Sequence, residues 1–392
     1  MKNLETLIQE LCPDGVEFVK LGDVLDYEQP TKYIVKCKDY QNEGMPVLTA
    51  GQTFILGYTD ETNGIYEASR ENPVIIFDDF TTSFHWVDFN FKVKSSAMKM
   101  LRVSSEREVS FRFVYYAMKC IKYQTLEHSR QWISKYSQIE IPLPPIEVQT
   151  KIVRILDKFT SLEAELKAEL DCRKRQYEYY RDKLLSFENV GGQEVEWKKM
   201  SEVCLKTSKI NWKLVEGEYK YIDLSSVDRD NHKISDCTII NKENAPSRAQ
   251  QVVKTGDILF GTTRPTLMRF CYIPKEYDGE VCSTGYCVIR VNNEMINSHF
   301  AYHFLFTQKF QDYVEGHQKG ASYPAISNKD VMSFELPIPS LQEQERIATI
   351  LDRFESLTTS LQSGLPAEIA ARRQQYEHYR DKLLTFKRKG AA

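Results

Sequence analysis

An internal repeat constrains this chain more than any other feature of its sequence. The stretch QYEYYRDKLLSF (176–187) returns as QYEHYRDKLLTF (375–386), and residues 173–187 and 372–386 are identical at eleven of fifteen positions. A second repeated block precedes each copy, where IEIPLPPIEVQTKIVRILDKF (139–159) aligns with FELPIPSLQEQERIATILDRF (334–354). Self-similarity on this scale indicates that the chain folds as two copies of one architecture.

The repeated blocks have the apolar spacing of long helices. From Ile152 to Leu170 and again from Tyr177 to Phe187, apolar residues recur every three or four positions, as in a heptad seam. The seam shifts within EAELKAEL (163–170), where a four-residue unit occurs twice, and such an insertion does not break a helix. In the second copy Gly364-Leu365-Pro366 predicts a kink or break, because proline disfavours helix at the preceding residue.

Each seam requires a partner, because a helix of about forty residues extends roughly 60 Å, further than one small domain covers. We expect the two helices to pair within the chain as an antiparallel coiled coil, since the second must carry the chain back. A coiled coil between two chains is the alternative. A helix at 3–11 stands where the end of a repeat helix would stand, so we expect the termini to meet in a circular, pseudo-two-fold arrangement.

The segments between the repeated blocks, 13–141 and 192–336, each combine strand-like stretches with one aromatic helix. The predicted fold class is α+β, with two globules separated by two long helices. The expected boundaries are 1–145 and 189–340 for the globules, and 146–188 and 341–388 for the helices. The aromatic helices are predicted at 111–121 and 297–314. The strands are predicted at 45–50, 53–58, 73–77, 89–93, 219–224, 257–260, 269–273 and 285–291.

Composition narrows the class of protein. With 42% apolar and 12% aromatic residues the chain is globular, and the absence of a membrane-length apolar run or a signal peptide favours a cytoplasmic protein without a membrane partner. Nine scattered cysteines without a CxxC pair predict free thiols. The net charge is −3, so the chain lacks the excess of basic residues that is common in nucleic-acid-binding proteins. DNA binding would therefore need local basic patches or basic partner proteins.

Catalytic motifs are missing from the sequence. It contains no GxGxxG, Walker P-loop, GxSxG or HExxH pattern, and we expect neither catalytic nor metal-ligating residues. Asp78 and Asp79, followed by His85 and Asp88, suggest a metal site at first sight, but their place after a strand favours a hydrogen-bonded loop. An enzyme in its own right remains an alternative to a binding protein.

Polar loops in both segments are suited to reading DNA. Arginine pairs with guanine edges and glutamine with adenine, while serine, threonine and lysine hold phosphates. The last loop of each segment falls at the same place in the repeat, just before the dipeptide Ile-Ser at 133–134 and at 326–327. The candidate residues are Thr81, Thr82, His85, Trp86, Lys92, Lys94, Ser95, Arg130, Gln131 and Trp132 in the first segment, and Thr262, Thr263, Arg264, Thr284, Lys319, Ser322 and Tyr323 in the second.

Several of these features together resemble the specificity (S) subunit of type I restriction–modification enzymes. The motifs are PLPPIEVQTKIVRILD, PIPSLQEQERIATILD, the paired RDKLL ends, LGDVL and KTGDILF, and the resemblance extends over the whole chain. The tandem at 163–170 resembles the spacer of one branch of that family. The resemblance implies two target-recognition domains, each reading half of a split, asymmetric DNA sequence, with helices that set the gap between the halves.

The resemblance also implies partners. Two methyltransferase (M) subunits using S-adenosylmethionine and restriction (R) subunits using ATP and Mg²⁺ would join this chain, which would carry no cofactor and no catalysis itself. The conserved helices would dock the methyltransferases, and the candidates for docking are Tyr177, Tyr180, Arg181, Tyr376, Tyr379 and Arg380. The alternative is a coiled-coil adaptor whose two globules bind ligands other than DNA.

Overall fold

In both halves of the chain a strand-rich segment is followed by one or more short helices, a ribbon strand and a long helix. The computed structural model describes residues 3–51, 53–104, 106–125, 129–187, 195–359 and 364–390. The first half contains α1 (Leu4–Leu11), β1 (Glu17–Lys20), β2 (Leu25–Glu28), β3 (Met45–Leu48), β4 (Ile55–Thr59), β5 (Val74–Asp78), β6 (Phe84–Val87), β7 (Lys92–Val93), β8 (Met98–Val103), α2 (Phe111–Lys119), β9 (Glu140–Leu143) and α3 (Ile146–Leu185). The second half contains β10 (Glu196–Lys199), α4 (Met200–Val203), β11 (Ser208–Lys209), β12 (Tyr219–Ile222), β13 (Thr238–Ile240), β14 (Ala249–Val252), β15 (Ile258–Gly261), β16 (Phe270–Tyr272), β17 (Val281–Ser283), β18 (Tyr286–Ile289), α5 (Ser298–Phe304), α6 (Gln308–His317), α7 (Asn328–Met332), β19 (Glu335–Ile338), α8 (Leu341–Thr359) and α9 (Leu365–Leu383).

The chain divides into two units by its internal contacts. Unit 1 consists of residues 1–165 and 370–392, and unit 2 consists of residues 166–369. Each unit therefore combines one α+β globule with pieces of both repeat helices. This division confirms the predicted α+β fold class, because each unit contains parts of the repeat helices of both copies.

A two-stranded antiparallel ribbon precedes each long helix. In unit 1, β1 pairs with β9, and in unit 2, β10 pairs with β19. Phe18 stands opposite Pro142 and Trp197 opposite Pro337, so the two ribbons have the same register around the repeated prolines. A ribbon of two strands tolerates proline because each strand is an edge strand with one unpaired side.

The core sheets are built around one buried strand in each unit. In unit 1 the strand order is β2-β8-β5-β6, and in unit 2 it is β16-β15-β18. Every residue from Val74 to Phe77 and from Ile258 to Phe260 is fully buried, which explains why these strands read as unbroken apolar runs. Further sheets, with the orders β4-β3-β7 and β11-β14-β17-β12-β13, complete the two globules.

The aromatic helices of the two units are held by one repeated glutamine. The Gln149 side chain accepts a hydrogen bond from the Ser110 backbone N–H (2.9 Å) and donates to the Pro144 carbonyl (2.7 Å). Gln344 makes the same pair of bonds in unit 2, to the Asn297 N–H (2.7 Å) and the Pro339 carbonyl (2.8 Å). Both glutamines are buried, so each fastens the start of α2 or α5 to the start of a long helix.

One of the two aromatic helices differs from its prediction. The stretch 297–314 was expected to be a single helix but forms α5 and α6, with the break at residues 305–307. Thr307 causes this break: its hydroxyl donates to the Phe304 carbonyl (2.7 Å) and accepts from the Phe310 N–H (3.3 Å). It therefore caps a new helix, as threonine commonly does at a helix N-terminus.

The helix α3 runs without interruption through the tandem at 163–170. Leu162, Leu166 and Leu170 are half-buried there, while 167–169 are exposed, so the apolar seam follows the shifted spacing. In the second copy the predicted interruption is confirmed at Gly364, whose φ of 101° is incompatible with a right-handed helix. Pro366 then occupies the first turn of α9, where proline is tolerated; residues 360–363 lie outside the described part of the chain.

The repeat helices pair start to end within each unit. In unit 1, Phe159 near the start of α3 stacks on Tyr379 near the end of α9, with ring centroids 5.5 Å apart. In unit 2, Tyr180 near the end of α3 stacks on Phe354 of α8, at 5.9 Å. Pairing of starts with ends is the pattern of antiparallel helices, as predicted.

The chain termini also meet, within unit 1. Val16 and Arg388 form a parallel bridge, in which the Val16 N–H donates to the Lys387 carbonyl and the Lys389 N–H donates to the Val16 carbonyl, both at 2.9 Å. The expected meeting of the two ends of the chain is therefore present in unit 1.

Candidate DNA interface

Three loops of unit 1 converge on one buried carboxylate. We call the loops 78–83, 94–97 and 129–132 the unit 1 loop face. The Asp79 N–H donates to the Ala97 carbonyl (2.8 Å), and the Gln131 N–H donates to the Asp79 carbonyl (2.8 Å). The Asp79 carboxylate also accepts from the Trp132 N–H (2.8 Å), and its other oxygen lies 3.4 Å from the buried Lys99 ammonium. Asp79 thus ties the three loops together.

Three loops also converge in unit 2, where backbone hydrogen bonds join them. The unit 2 loop face consists of residues 261–264, 283–285 and 319–326. The Thr262 N–H donates to the Gly285 carbonyl (2.8 Å), and the Thr262 carbonyl accepts from the Ile326 N–H (3.0 Å). The Arg264 N–H donates to the Pro324 carbonyl (2.7 Å). Backbone hydrogen bonds therefore fix loops that lie up to about sixty residues apart in sequence.

The two faces occupy equivalent places on the repeated scaffold. Their first loops follow the central strands β5 and β15, and their second loops precede the neighbouring strands β8 and β18. Each first loop also holds a non-glycine residue in the left-handed region, Thr82 at φ 59° and Arg264 at φ 49°. Such conformations cost free energy and cluster at functional loops, so they support assigning function to this end of each unit.

The unit 2 loop face presents most of its predicted residues to solvent. Arg264 lies over the ring of Tyr323, with 5.3 Å between guanidinium and ring centroid, and Tyr323 is 73% exposed. A guanidinium and an aromatic ring are groups that bind base edges, bases and phosphates. The other predicted side chains exposed on this face are those of Thr263, Thr284, Lys319 and Ser322.

The unit 1 loop face exposes fewer of the predicted side chains. Thr81 and Lys94 are exposed, and Ser95 is half-buried. The Arg130 side chain is 53% exposed, and its guanidinium lies 3.9 Å from the Asp79 carboxylate. Cations and hydroxyls thus lie together at this end of the unit, although 94–95 and 130 are far apart in sequence.

Several predicted residues are buried and hold the loops instead. Gln131 accepts from the Tyr123 hydroxyl (2.8 Å) and donates to the Ser129 carbonyl (2.7 Å), and Trp132 packs edge-on against Phe77. Thr82 and Thr262 are at most 9% exposed, and the Thr262 hydroxyl donates to the Gly285 carbonyl. Because these four side chains are buried in this conformation, they are not available to contact DNA. They instead hold the loops that carry the exposed residues.

Lys92 is also interior, for an electrostatic reason. Only 2% of its side chain is exposed, and its ammonium lies 3.1 Å from the Glu61 carboxylate. It also donates to the Asn63 carbonyl (2.5 Å) and the Gly64 carbonyl (3.1 Å). A buried lysine with these partners stabilises the loop 61–64 and is not available to a phosphate.

His85 and Trp86 are half-buried on β6. The His85 Nε2 atom lies 2.9 Å from the Gly51 carbonyl, and burial lowers the pKa of this histidine. The Trp86 ring lies 4.6 Å from the Arg112 guanidinium and packs on Phe111. Both side chains are therefore engaged within unit 1.

One exposed cation was not predicted from the sequence. The Arg248 carbonyl accepts from the Thr284 N–H (2.9 Å), which places Arg248 beside the unit 2 loop face with an exposed side chain. It lies 36 residues before Thr284. No motif or spacing marks Arg248, and only the pairing of β14 with β17 brings it here.

The docking candidates divide into buried and exposed residues. Tyr177 and Arg181 are at most 9% exposed, and the Tyr177 hydroxyl lies 3.3 Å from His303 Nδ1. Tyr180 is 43% exposed and Tyr379 38% exposed, each stacked on a phenylalanine of its own unit. Tyr376 and Arg380 are half-buried, with the guanidinium 5.7 Å from the ring. Among these six candidates, Tyr180 and Tyr379 therefore have the most exposed side chains.

Comparison with known proteins agrees with this architecture. The family described as "Type I restriction modification DNA specificity domain" matches residues 13–171 and 193–371. The chain is 40% identical to the specificity subunit of the type I restriction enzyme EcoR124I/EcoR124II of Escherichia coli, over 98% of this chain and 97% of the relative. It is 28% identical to a putative type I restriction enzyme specificity subunit of Haemophilus influenzae, over 98% of this chain and 100% of that one.

A solved structure shares the fold. The S subunit of a type I restriction–modification system from M. genitalium superposes with a TM-score of 0.57 and 18% identity, covering 94% of this chain and 96% of that chain. None of the helices in the described ranges is both long and apolar enough to cross a membrane. The repeated family match and the whole-length relatives establish that the chain belongs to the specificity subunits of type I restriction–modification enzymes.

Proposed function

We propose that this subunit reads a split, asymmetric DNA site, with the unit 1 loop face on one half and the unit 2 loop face on the other. The observation that carries the proposal is that three distant loops converge at the equivalent end of both units and expose cations and hydroxyls there. Cations bind phosphates without regard to sequence, whereas arginine in a groove distinguishes bases. Since the exposed residues of the two faces differ, the two half-sites should differ.

The remaining functions belong to partners. Two methyltransferase subunits dock on the repeat helices, and the exposed tyrosines Tyr180 and Tyr379 are the aromatic anchors there, since aromatic residues are enriched at interfaces. Restriction subunits join this complex. The subunit itself performs no catalysis and binds none of the cofactors of these reactions; S-adenosylmethionine is bound by the methyltransferases, and ATP and Mg²⁺ by the restriction subunits. With a net charge of −3, the chain depends on these partners for part of the DNA affinity.

Methylome sequencing of co-expressed complexes tests the assignment of the faces. Arg264→Ala and Lys319→Ala should relax or weaken only one half-site, and Arg130→Ala only the other. A lost base contact costs roughly 1–3 kcal/mol at one position, whereas a lost phosphate contact weakens all sequences and reduces the salt dependence by about one ion.

Matched controls lie at the opposite ends of the same strands. Lys254 is exposed before β15, and Arg70 is exposed before β5, whereas the loop faces follow these strands. Lys254→Ala and Arg70→Ala should methylate like the wild type. Equal methylation by the face variants and the controls would show that these loops do not contact DNA.

A further inference from the structure

Unit 2 contains a cluster of histidines and carboxylates away from its loop face. His299 and His303 stand one turn apart on α5, and Asp352 and Glu355 stand one turn apart on α8. His303 is fully buried, and its Nε2 atom lies 2.7 Å from the Asp352 carboxylate. The His299 Nδ1 atom lies 3.1 Å from the other oxygen of the same carboxylate.

Three of these residues have the spacing of metal ligands. One donor atom from each of His303, Asp352 and Glu355 can be chosen so that all three lie within 4.8 Å of one another. Bonds of about 2.0–2.2 Å to a tetrahedral zinc ion place its ligand atoms about 3.4 Å apart. Small side-chain rotations would therefore admit an ion between His303 and Asp352, where a hydrogen bond now lies.

The ligands are oriented by neighbouring hydroxyls. The Tyr177 hydroxyl lies 3.3 Å from His303 Nδ1, the ring atom that faces away from Asp352. The Tyr302 hydroxyl donates to the Glu355 carboxylate at 3.3 Å. Partners of this kind fix the ring orientation of a metal-binding histidine and the position of a carboxylate.

The same place in unit 1 is filled differently. Arg112 and Tyr116 of α2 correspond to His299 and His303, because Ser110 and Asn297 bind the repeated glutamines equivalently. Arg112 donates to the Asp157 carboxylate at 2.9 Å, and the Tyr116 hydroxyl donates to it at 2.5 Å. Asp157 corresponds to Asp352, and Thr160 stands where unit 2 has Glu355.

The substitution changes the charge balance of the site. In unit 1 one carboxylate meets one guanidinium. In unit 2 two carboxylates meet imidazoles, which carry a full charge only when protonated. Lys233 lines the adjoining cleft and offsets part of this charge. A divalent ion would place positive charge between the two carboxylates.

We propose that His303, Asp352 and Glu355 bind a divalent transition-metal ion such as Zn²⁺, which links α5 to α8 in unit 2. An imidazole with two carboxylates suits Zn²⁺ and related first-row ions better than Mg²⁺, which prefers oxygen ligands and water. A cleft of about 550 Å³, lined by His299, Asp352 and Glu355 among others, gives an ion access. His299 or water completes the coordination.

Metal binding by the full chain, alone or with its partner subunits, tests the site. We expect one equivalent of Zn²⁺ per chain in equilibrium dialysis against a chromophoric chelator. Co²⁺ in place of Zn²⁺ should give visible d–d absorption without a thiolate charge-transfer band, which excludes the nine cysteines as ligands. Glu355→Gln should weaken Zn²⁺ binding at least tenfold, a change typical even of residues outside the first ligand sphere.

A variant that carries the unit 1 residues at the equivalent positions still tests the site if single variants fail to fold. The double variant His299→Arg/His303→Tyr carries the residues of the first copy, so it should remain folded by circular dichroism and lose the site. Asp157→Asn changes the equivalent carboxylate of unit 1 and should leave Zn²⁺ binding unchanged. The proposal is wrong if the folded double variant binds Zn²⁺ as the wild type does, or if the wild type binds no more than the double variant.

Discussion

At the scale of single residues, the repeated glutamines show what the sequence repeat preserves. Gln149 and Gln344 are buried, and each satisfies one backbone N–H and one carbonyl with its own amide. The alignment of the two copies marks both positions, but their role depends on Ser110 and Asn297, which lie outside the repeated blocks. Comparison of the two copies thus identifies the glutamines, but only the folded structure identifies the backbone groups to which they bind.

Replacing either glutamine by leucine should destabilise its unit. Gln149→Leu and Gln344→Leu leave a buried N–H and a carbonyl without a partner, which costs about 1–3 kcal/mol per unsatisfied group. Urea unfolding followed by circular dichroism measures this change in the free energy of unfolding. Gln308→Leu, at an exposed position of α6, is the control and should change stability by less than about 0.5 kcal/mol. Equal stability of all three variants would contradict this role.

Residue type alone could not distinguish the exposed residues that can contact DNA from the buried residues that hold the loops. Arg264, Lys319 and Arg130 were predicted from chemistry and are exposed, whereas Lys92, Gln131 and Trp132 satisfied the same criteria and are buried. The difference arises from tertiary partners such as Glu61 for Lys92. Burial of a polar residue depends on a contact between distant segments, and a local sequence pattern does not contain that information.

At the scale of elements, loop backbone and loop side chain make separable contributions. Arg264 occupies the left-handed region at φ 49°, where a non-glycine residue costs roughly 1–2 kcal/mol and glycine does not. The Arg264→Gly variant should therefore be at least as thermally stable as the wild type. It should nevertheless lose methylation at one half-site, because the guanidinium is gone.

Two measurements distinguish the contribution of this loop to protein stability from its contribution to DNA recognition. Thermal denaturation measures the first and methylome sequencing the second. Arg264→Lys keeps the backbone cost and the charge but not the planar guanidinium, so it should relax the half-site while retaining affinity for phosphates. Full methylation by Arg264→Gly would show that the side chain is not used.

Secondary structure was predictable where the pattern was long. The heptad spacing located α3, and the glycine and proline located the interruption before α9. Shorter signals failed: the helix expected at 297–314 is divided by the Thr307 cap, and β8, β13, β14 and β17 were not predicted. Their formation depends on partners far along the chain, as in the parallel pairing of β12 with β17.

At the scale of the whole molecule, the tandem within α3 suggests a ruler for the gap between half-sites. A third four-residue unit after Leu170 lengthens a helix by about 6 Å and rotates the downstream part of the chain by about 40°, compared with 3.4 Å and about 35° per base pair of DNA. Half-sites should therefore stay unchanged while the gap grows by one, or at most two, base pairs. Methylome sequencing of the insertion variant measures this gap.

A one-residue insertion at the same place is the matched control. It rotates the downstream part of the helix by about 100°, which no small change in DNA length accommodates, so it should abolish methylation. An unchanged gap in the four-residue variant would show that α3 does not set the distance. Altered half-site bases would show that the boundaries of the reading units are misplaced.

The meeting of the chain ends has a consequence for synthesis on the ribosome. Residues 166–369 of unit 2 form one continuous stretch, whereas unit 1 needs residues 370–392, which pack on it and bridge Val16. Domains of most proteins fold in order from the N-terminus as they emerge. Here one core cluster of unit 1, which joins Phe113 and Val148 to Leu384, is completed only after the last helix is translated, so the second half of the chain can complete its fold first.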